Sequence, residues 1–295
     1  MHTTIGIDLG GTRIKAVVID QEGKLLHQRY AETRDGADAV WKQVVKETVA
    51  ELKAVVGEKD IPVGISAPGL PNADNTAIAH MPGRMDGLEG FNWSQHLQSP
   101  AWVLNDAVAA MMAEAGFGVA KGRKHVVMLT LGTGVGGAIL IDGRPYQGAF
   151  GKAGHIGHMV IDDEGDCDVT GMPGSLEDCI GNCTVEKRSK GKFSSTAQLV
   201  EAYRAGDEWA KEVWLRSIKQ LAIGLASVTN ILSPELIVLG GGITTAGADL
   251  FEPLEKFMAT YEWRAGGHKA SIVQAEFGDM AGAIGAGYFA NLKSS

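Results

Sequence analysis

Cysteine is scarce in this chain, with only Cys167, Cys179 and Cys183 among 295 residues. Three is a small and odd number, which argues against a disulfide framework and is typical of a protein from a reducing compartment. Long apolar runs are also missing, since no stretch reaches the roughly 18 residues that a membrane span requires. The chain enters its first apolar strand without a basic segment or a cleavage pattern, so we expect a cytoplasmic protein with no membrane partner.

Positive charge is in deficit as well. The formal net charge is −8, and the densest basic run is the short segment EKRSKGK at 186–192, which is typical of a solvated loop. Such a protein repels polyanions overall, so we expect no nucleic-acid partner. Two nucleotide-binding patterns are also absent, namely GxxxxGK[ST] and a GxGxxG that opens a helix. Their absence argues against P-loop NTPases and against dinucleotide-dependent dehydrogenases.

Glycine, by contrast, is abundant, and its 40 copies are concentrated in short turns. The blocks 5–20 and 127–142 match in pattern without a gap: each has an apolar strand, a Gly/Thr turn, a second apolar strand and a closing Asp. This pattern predicts a β-hairpin, and its repetition suggests a duplicated domain.

Helical and strand patterns alternate around the two hairpins. This alternation predicts an α/β protein, and the chain length suits two lobes with a cleft between them. The first lobe is expected at 1–112, joined by a returning C-terminal helix within 279–295, and the second lobe at 113–278. The predicted helices are 37–56, 106–116, 207–232 and 279–291, and the further predicted strands are 62–69, 101–105, 235–242 and 271–277.

The turn of the first hairpin carries groups that suit a phosphate chain. Adjacent Gly10 and Gly11 allow the backbone to approach phosphates closely, and Thr12 and Lys15 add a hydroxyl and a cation. Asp8, at the end of the strand, suits a Mg²⁺ ion that accompanies the phosphates. The alternative is a glycine-rich hairpin whose polar residues only cap the turn.

Two further glycine clusters strengthen the first interpretation. The turn at 132–137, GTGVGG, offers the same device in the second lobe, and two such turns are far less expected by accident than one. The cluster at 240–242 follows a buried strand and has no side chain that would collide with an adenine ring.

Asp106 stands where a strand ends and a helix begins, directly after Asn105. One interpretation is that Asp106 is the N-cap of the helix. The other is that it is a general base for an attacking hydroxyl, with Asn105 bound to a neighbouring hydroxyl. A second polar cluster, His155 and His158 in GHIGH, needs partners for its ring nitrogens, and sugar hydroxyls or a metal would both serve.

Together these motifs resemble the ROK family of sugar kinases and related repressors, within the actin/hexokinase-type fold, a duplicated ribonuclease H-like architecture. The resemblance spans nearly the whole chain. Repressor members carry a winged-helix domain ahead of the first hairpin, and only four residues precede it here, so a DNA-binding role is not expected. The motifs that carry the resemblance are DLGGTRIK at 8–15, SAPG at 66–69, NDAVAA at 105–110, LGTGVGGAIL at 131–140, AGHIGHM at 153–159, GSLE at 174–177 and SPELIVLGGGI at 233–243.

The resemblance implies an ATP- and Mg²⁺-dependent kinase that phosphorylates a hexose-like sugar, of glucokinase type and at O6, and that forms a homodimer. Asp106 would be the general base. The other implied sugar-binding residues are Gly69, Asn105, His158 and Glu177. The implied ATP-binding residues are Gly10, Gly11, Thr12, Lys15, Thr133 and Gly134 at the phosphates, and Gly241 and Gly242 at the nucleoside.

The sequence departs from the family pattern at two places. His155 stands where the family commonly has a sugar-contacting Glu, which leaves the sugar preference open. The family's CxCGxxGCLE segment supplies three thiolates to a structural Zn²⁺ together with the His of GH, but here it reads CDVTGMPGSLE, so a structural zinc is not expected. A site built from His158, Cys167, Cys179 and Cys183 remains the alternative.

The loop around Arg84 and Asp86 allows two interpretations. It either reads substrate groups or is a surface loop with an internal salt bridge. The activity also has two alternatives to an ATP-dependent sugar kinase. One is a non-catalytic sugar sensor of the same fold, and the other is a sugar kinase that uses polyphosphate; both would share most of these motifs.

Overall fold

The computed structural model describes residues 3–36 and 38–294, so Ala37, where the first predicted helix was placed to begin, lies outside the described residues. Within those ranges no helix is both long enough and apolar enough to cross a membrane. The strands are β1 (Thr4–Leu9), β2 (Arg13–Ile19), β3 (Leu25–Glu32), β4 (Val63–Ala67), β5 (Leu70–Pro71), β6 (Ile78–His80), β7 (Ala101–Asn105), β8 (Val126–Leu131), β9 (Val135–Ile141), β10 (Arg144–Pro145), β11 (Leu236–Gly240) and β12 (Ser271–Gln274). The α-helices are α1 (Trp41–Val56), α2 (Trp93–Leu97), α3 (Asp106–Gly116), α4 (Leu176–Ile180), α5 (Val185–Arg188), α6 (Thr196–Arg204), α7 (Glu208–Leu232), α8 (Ala248–Tyr261) and α9 (Ala281–Ser294).

The chain forms two compact units that repeat one sheet topology. Unit 1 comprises residues 1–122, 145–153 and 276–295, and unit 2 comprises 123–144 and 154–275. The strand order is β3-β2-β1-β4-β7 in one sheet and β10-β9-β8-β11-β12 in the other. In each sheet a hairpin is antiparallel and the next two strands are parallel to its first strand. The predicted α/β fold with an internal duplication is therefore confirmed, whereas the predicted lobe bounds stay a prediction.

The central strands read as continuous apolar runs because both of their faces are covered. All residues of β4 and β11 are buried, as expected for parallel strands with helices on both sides. In unit 2 the long helix α7 contributes a buried stripe that includes Trp214, Leu221 and Leu225. Its first turn is capped by Asp207, whose side chain accepts a hydrogen bond from the Ala210 N–H.

Helix α9 packs directly on the sheet of unit 1 because glycine lies at the points of closest approach. A Cβ on Gly6 of β1 would lie 1.9 Å from the Ala283 carbonyl oxygen, and one on Gly64 of β4 would lie 1.8 Å from the Ala286 carbonyl oxygen. Gly285 has the same relation to the Ala109 carbonyl in α3, at 1.7 Å. Helix α9 thus holds α3, whose first turn carries Asp106, against the strands of unit 1.

The segment before α9 differs from the prediction. A strand was expected over 271–277, but β12 ends at Gln274. The physical reason is Glu114, a buried residue whose carboxylate accepts hydrogen bonds from the Glu276 N–H at 2.7 Å and the Phe277 N–H at 3.1 Å. These amides are therefore unavailable for pairing with a neighbouring strand.

Candidate active site

In unit 1 the predicted site residues meet at the carboxyl ends of neighbouring parallel strands. Asp8 of β1 is in register with Ser66 of β4, and Ala67 of β4 is in register with Asn105 of β7. Ligands of open α/β sheets bind at this edge, because the connections that follow the strands leave polar groups there. The structure therefore brings Asp8, the first glycine turn and Asp106 to one end of one sheet.

Asp8 and Lys15 face each other across the first hairpin. The Ser66 hydroxyl donates to Asp8 Oδ1 at 2.8 Å, and Lys15 Nζ lies 3.5 Å from Asp8 Oδ2. Lys15 also donates to the Asp279 carbonyl oxygen at 2.6 Å. Burial raises the pKa of Asp8, while Ser66 and Lys15 oppose that effect. A cation placed nearby would favour the ionised carboxylate, which suits the predicted Mg²⁺ role.

Asn105, and not Asp106, is the N-cap of α3, so the simple capping interpretation of Asp106 is wrong. The Asn105 side chain accepts a hydrogen bond from the Ala107 N–H and donates to the Gly69 carbonyl oxygen at 3.1 Å. Gly69 has φ of 99°, which favours glycine, and this bond fixes its loop against the start of the helix. Asp106 is the first helical residue, and its Oδ1 accepts from the Ala107 N–H at 2.8 Å.

Asp106 keeps contact with solvent, but it is crowded by protein atoms. Its pKa is raised chiefly by the loss of hydration and further by the nearby charge of Asp8, whereas the Ala107 N–H and Arg84 lower it. A hydrogen bond from the Asn105 side chain also lowers this pKa. The backbone of α3 thus anchors Oδ1 and sets the orientation of the carboxylate.

Arg84 lies over the first glycine turn. A Cβ on Gly11 would lie 2.8 Å from Arg84 Nη2, so glycine at this position makes room for the guanidinium. The interpretation of an internal salt bridge with Asp86 is wrong, because in the described part of the chain Arg84 forms no ion pair within 4.0 Å. An unpaired guanidinium next to a turn with exposed N–H groups is an arrangement that suits phosphate oxygens.

The second glycine turn in unit 2 is held by the segment that follows α4. The Cys183 N–H donates to the Thr133 carbonyl oxygen at 2.9 Å. Glu177, near the start of α4, accepts a hydrogen bond from the Val135 N–H at 2.8 Å, and its Oε2 would lie 2.2 Å from a Cβ on Gly134. Gly134 thus leaves room for the Glu177 carboxylate in its present position, a contact that the sequence pattern did not predict.

A cavity of about 500 Å³ lies beside this turn. Gly241 has φ of 89° and leads the chain past the Leu131 carbonyl, where a Cβ would lie only 2.3 Å away. A Cβ on Gly242 would meet no atom within 4 Å, so the absent side chain leaves the cavity open. Sequence reasoning predicted Thr133 and Gly242 but missed the residues that α6 contributes. The lining of the cavity includes Thr133, Thr196, Val200, Arg204, Gly242 and Ile243.

Glycines also hold the two histidines against β9. A Cβ on Gly157 would lie 1.9 Å from the Val135 carbonyl oxygen, and a Cβ on Gly137 would lie 2.3 Å from the Gly154 carbonyl oxygen. The His155 and His158 rings are nearly parallel, at 8°, with centroids 6.5 Å apart. Burial, and then the neighbouring His158, lower the pKa of His155, so its ring is neutral near neutral pH.

His158 is paired with a carboxylate. Its Nδ1 lies 2.9 Å from Oδ2 of Asp168, whose side chain is 0% exposed. Burial opposes ionisation of Asp168, but hydrogen bonds from Thr170 and His158 outweigh it and lower the pKa of the carboxyl.

The residues of the alternative zinc site do not form a ligand set. Within the described ranges no group of three or more His, Cys, Asp or Glu side chains is arranged to hold a metal ion. Cys179 is buried beside Arg188, whereas Cys167 and Cys183 are exposed. The residues present thus do not fit a structural Zn²⁺ held by His158 and these thiols.

The predicted sugar-binding residues divide between the two units. Gly69, Asn105 and Asp106 belong to unit 1, and His155, His158 and Glu177 belong to unit 2. The Asn105 side chain contacts the Gly69 carbonyl oxygen in unit 1, and Glu177 and Gly157 both approach Val135 in unit 2. The action of the six predicted residues on one sugar stays a prediction.

The repeated sheet, with a glycine turn in each copy, defines a duplicated ribonuclease H-like protein of the actin/hexokinase class. The ROK family profile matches residues 4–293, so the chain belongs to the ROK family. A glucokinase of Streptomyces coelicolor is 28% identical over 318 positions, which cover 97% of this chain and 96% of that protein. An N-acetyl-D-glucosamine kinase of Pectobacterium carotovorum is 32% identical over 256 positions, which cover 81% and 83%. The crystal structure of a ROK hexokinase from Thermus thermophilus superposes with a TM-score of 0.88 at 28% identity, covering 99% of both chains.

Proposed function

We propose that this chain is an ATP-dependent sugar kinase, which transfers the γ-phosphoryl group of ATP to a hydroxyl of a hexose-like sugar. The names of its relatives, glucokinase, N-acetyl-D-glucosamine kinase and hexokinase, support this class of reaction. The observation that carries the proposal is the position of Asp106 at the same sheet edge as the Gly10–Gly11 turn. More specifically, we propose a glucokinase-type reaction in which O6 of the sugar receives the phosphoryl group.

Asp106 acts as the general base in this proposal. Its anchored Oδ1 sets the orientation of the carboxylate, and Oδ2 accepts the proton of the attacking hydroxyl. A raised pKa makes the carboxylate a somewhat better base than an ordinary Asp. Phosphoryl transfer passes through a loose transition state, so the main work of the base is to orient the nucleophile.

The first turn and its cations bind the phosphates. The Gly10 N–H donates to the Arg13 carbonyl oxygen within the hairpin, so the phosphate donors in this proposal are the N–H groups of Gly11 and Thr12, Lys15 and Arg84. Asp8 is the residue that would hold Mg²⁺, directly or through water. When bound, Mg²⁺ supplies neutralisation of the phosphate charge, and Asp8, Ser66 and Lys15 set the position of the carboxylate.

The cavity beside Gly242 supports a nucleoside as part of the phosphate donor. Its walls include the apolar side chains Val200 and Ile243, and Thr196 contributes a buried hydroxyl with no hydrogen-bond partner among the described residues. An apolar cleft with a few polar groups suits a purine ring. Polyphosphate has no group that would fill this space, so ATP is the favoured donor.

In this proposal His155 determines the preference among sugars. A neutral imidazole can both donate and accept a hydrogen bond but cannot form an ion pair, so it suits an uncharged substituent. We therefore expect preference for a neutral hexose or an N-acetylated hexose over a 2-amino hexose, whose ammonium group finds no carboxylate at this position.

The test is sugar-dependent release of ADP from ATP, measured with a panel of hexoses, 2-amino hexoses and N-acetyl hexoses, with polyphosphate as the alternative donor. Asp106→Asn should lower kcat by about 10²- to 10⁴-fold, because it removes the base but retains an oxygen for the Ala107 N–H. Sugar binding, measured by calorimetry, should change by only a few-fold.

The matched control is Asp74→Asn, an exposed carboxylate in the same unit, which should leave kcat unchanged. An Asp106→Asn variant with near-normal turnover would contradict the role of the base. Absence of ADP release with every sugar would instead favour a non-catalytic sensor. His155→Glu should shift preference toward a different member of the panel, and an unchanged preference would remove His155 from the sugar site.

A further inference from the structure

One carboxylate joins the loop after the two histidines to His158 itself. Asp168 Oδ1 accepts hydrogen bonds from the Thr170 N–H and the Thr170 hydroxyl, both at 2.7 Å, and from the Met172 N–H at 3.1 Å. Its other oxygen, Oδ2, has His158 Nδ1 at 2.9 Å. The two oxygens therefore have separate tasks: Oδ1 closes the turn at 168–172, and Oδ2 contacts the imidazole.

The backbone of this loop is closed independently of any metal. The Asp168 N–H donates to the Met172 carbonyl oxygen at 2.9 Å, and Cys167 and Pro173 form an isolated bridge. The loop is tied to the rest of unit 2 through Leu176, whose N–H donates to the Met159 carbonyl oxygen at 2.9 Å. The carboxylate thus has a fixed position, as a group that orients another side chain must have.

We propose that Asp168 is a positioning residue that fixes the neutral tautomer of His158, with the proton on Nδ1 and a free acceptor at Nε2. An ionised carboxylate can only accept hydrogen bonds, so the nitrogen that faces Oδ2 must carry a hydrogen. In the neutral ring the other nitrogen is then an acceptor, which can bind a hydroxyl hydrogen of the substrate. The tie to sugar binding rests on the proposed function, and the tautomer itself does not.

This arrangement occupies the place where the family pattern has its zinc segment. The residues present do not fit a zinc site, and the fully buried Asp168 carboxylate connects the loop to His158 in its stead. We therefore expect the loop to keep its structure, and the protein its sugar affinity, after treatment with a chelator of zinc in the presence of excess Mg²⁺.

Because the two oxygens of Asp168 have different partners, Asp168→Asn tests the contact with His158 separately from the closure of the turn. The amide oxygen can replace Oδ1 in the turn, while the amide nitrogen faces His158 as a donor and forces the proton onto Nε2. The fold should be retained, but a sugar hydroxyl would then meet a donor where it met an acceptor. We expect the KM for sugar to rise about ten- to a hundredfold, with little change in the KM for ATP.

Thr170→Val is the matched control. It removes one hydrogen bond to Oδ1 of the same carboxylate and leaves Oδ2 and His158 untouched. If Asp168 only closed its own turn, this variant and Asp168→Asn would have similar effects. We expect Thr170→Val to leave both the tautomer and the KM for sugar near the wild-type values.

The tautomer is measured on the full chain with ¹⁵N-labelled histidine, by long-range ¹H–¹⁵N correlation at a pH where the rings are neutral. The chain has 8 histidines, so the His158 signals are assigned by their loss in His158→Gln. Protonated Nδ1 in the wild type and protonated Nε2 in Asp168→Asn support the proposal. Protonated Nε2 in the wild type overturns it.

The kinetic measurement is independent of the spectroscopic one. An unchanged KM for sugar in Asp168→Asn, together with an inverted tautomer, would overturn the positioning role of Asp168 in sugar binding. If the wild type phosphorylates no sugar, the proposed function fails, while the tautomer measurement still decides whether Asp168 sets the state of His158.

Discussion

Replacement of Arg84 tests whether the guanidinium over the first glycine turn acts on the transferred phosphate. Arg84→Met keeps the length and the apolar stem of the side chain and removes the charge. A hydrogen bond to a charged group contributes about 1.5–3 kcal/mol, and each 1.36 kcal/mol is about tenfold in rate. We therefore expect kcat/KM to fall about ten- to a hundredfold, with partial recovery in Arg84→Lys, which retains a cation but not the planar fork.

The same variant should change the pH dependence in a definite direction. Arg84 lowers the pKa of Asp106, so its removal raises that pKa further. The base must be ionised to act, and a higher pKa means that ionisation is completed only at higher pH. The acid limb of the profile of kcat/KM against pH should therefore move to higher pH in Arg84→Met.

The assay is coupled ADP release across a range of pH, with the concentrations of ATP and sugar varied separately. Arg29→Met is the control, because Arg29 is also exposed in unit 1 and its side chain donates to the carbonyl oxygen of its neighbour Gln28. An unchanged kcat/KM and an unmoved acid limb in Arg84→Met would refute the reasoning. A rise in KM for some sugars only would instead assign Arg84 to a substituent of the sugar.

Three further predictions concern stability and ATP. Glu114→Ala leaves three backbone N–H groups without an acceptor, so the free energy of unfolding measured by urea denaturation should fall by about 2–5 kcal/mol. The exposed control Glu201→Ala should show no such loss, and equal denaturation midpoints for the two variants would contradict this prediction. Gly242→Leu fills the cavity. Overpacking costs about 1–3 kcal/mol, so the KM for ATP should rise about 5- to 150-fold while the KM for sugar stays constant. An unchanged KM for ATP would place the nucleoside elsewhere. Asp106→Asn should not lower the melting temperature at neutral pH. The folded protein raises the pKa of Asp106, so at any pH above the pKa that Asp106 has in the unfolded chain its ionisation destabilises the fold, and Asn removes that charge. A clear decrease in melting temperature would contradict this sign.

The secondary structure near the glycine turns was predictable because its signals are local. Strand β7 and helices α3 and α7 lie within a residue of their predicted bounds, since a polar residue marks the end of the strand and the start of each helix. The hairpins were predictable for the same reason. Their detailed register was not: Asp8 pairs with Lys15, whereas Thr130 pairs with Gly136, so the second turn is one residue tighter than the gapless sequence match implies.

The site was predictable as a set of residues but not as a set of contacts. The approach of Glu177 to Gly134, and that of Arg84 to Gly11, each joins segments that are distant in the chain. No local pattern encodes such contacts, because the fold as a whole determines them. Asp168 was overlooked for a related reason: in sequence it is one of several acidic residues in a polar loop, and only its burial and its hydrogen bonds distinguish it.

The two hairpins explain how one repeated sheet serves two tasks. Opposite strand positions in the first hairpin hold Asp8 and Lys15, a pair of charges suited to phosphate and cation. The second hairpin has uncharged residues at the corresponding paired positions. A side chain on Gly137 would leave no room for the backbone at Gly154. Charge in one copy and the absence of side chains in the other thus determine which groups reach the edge of each sheet. Because the loop that carries the histidines depends on that space, the divergence of the second hairpin is a precondition for the pairing of His158 with Asp168.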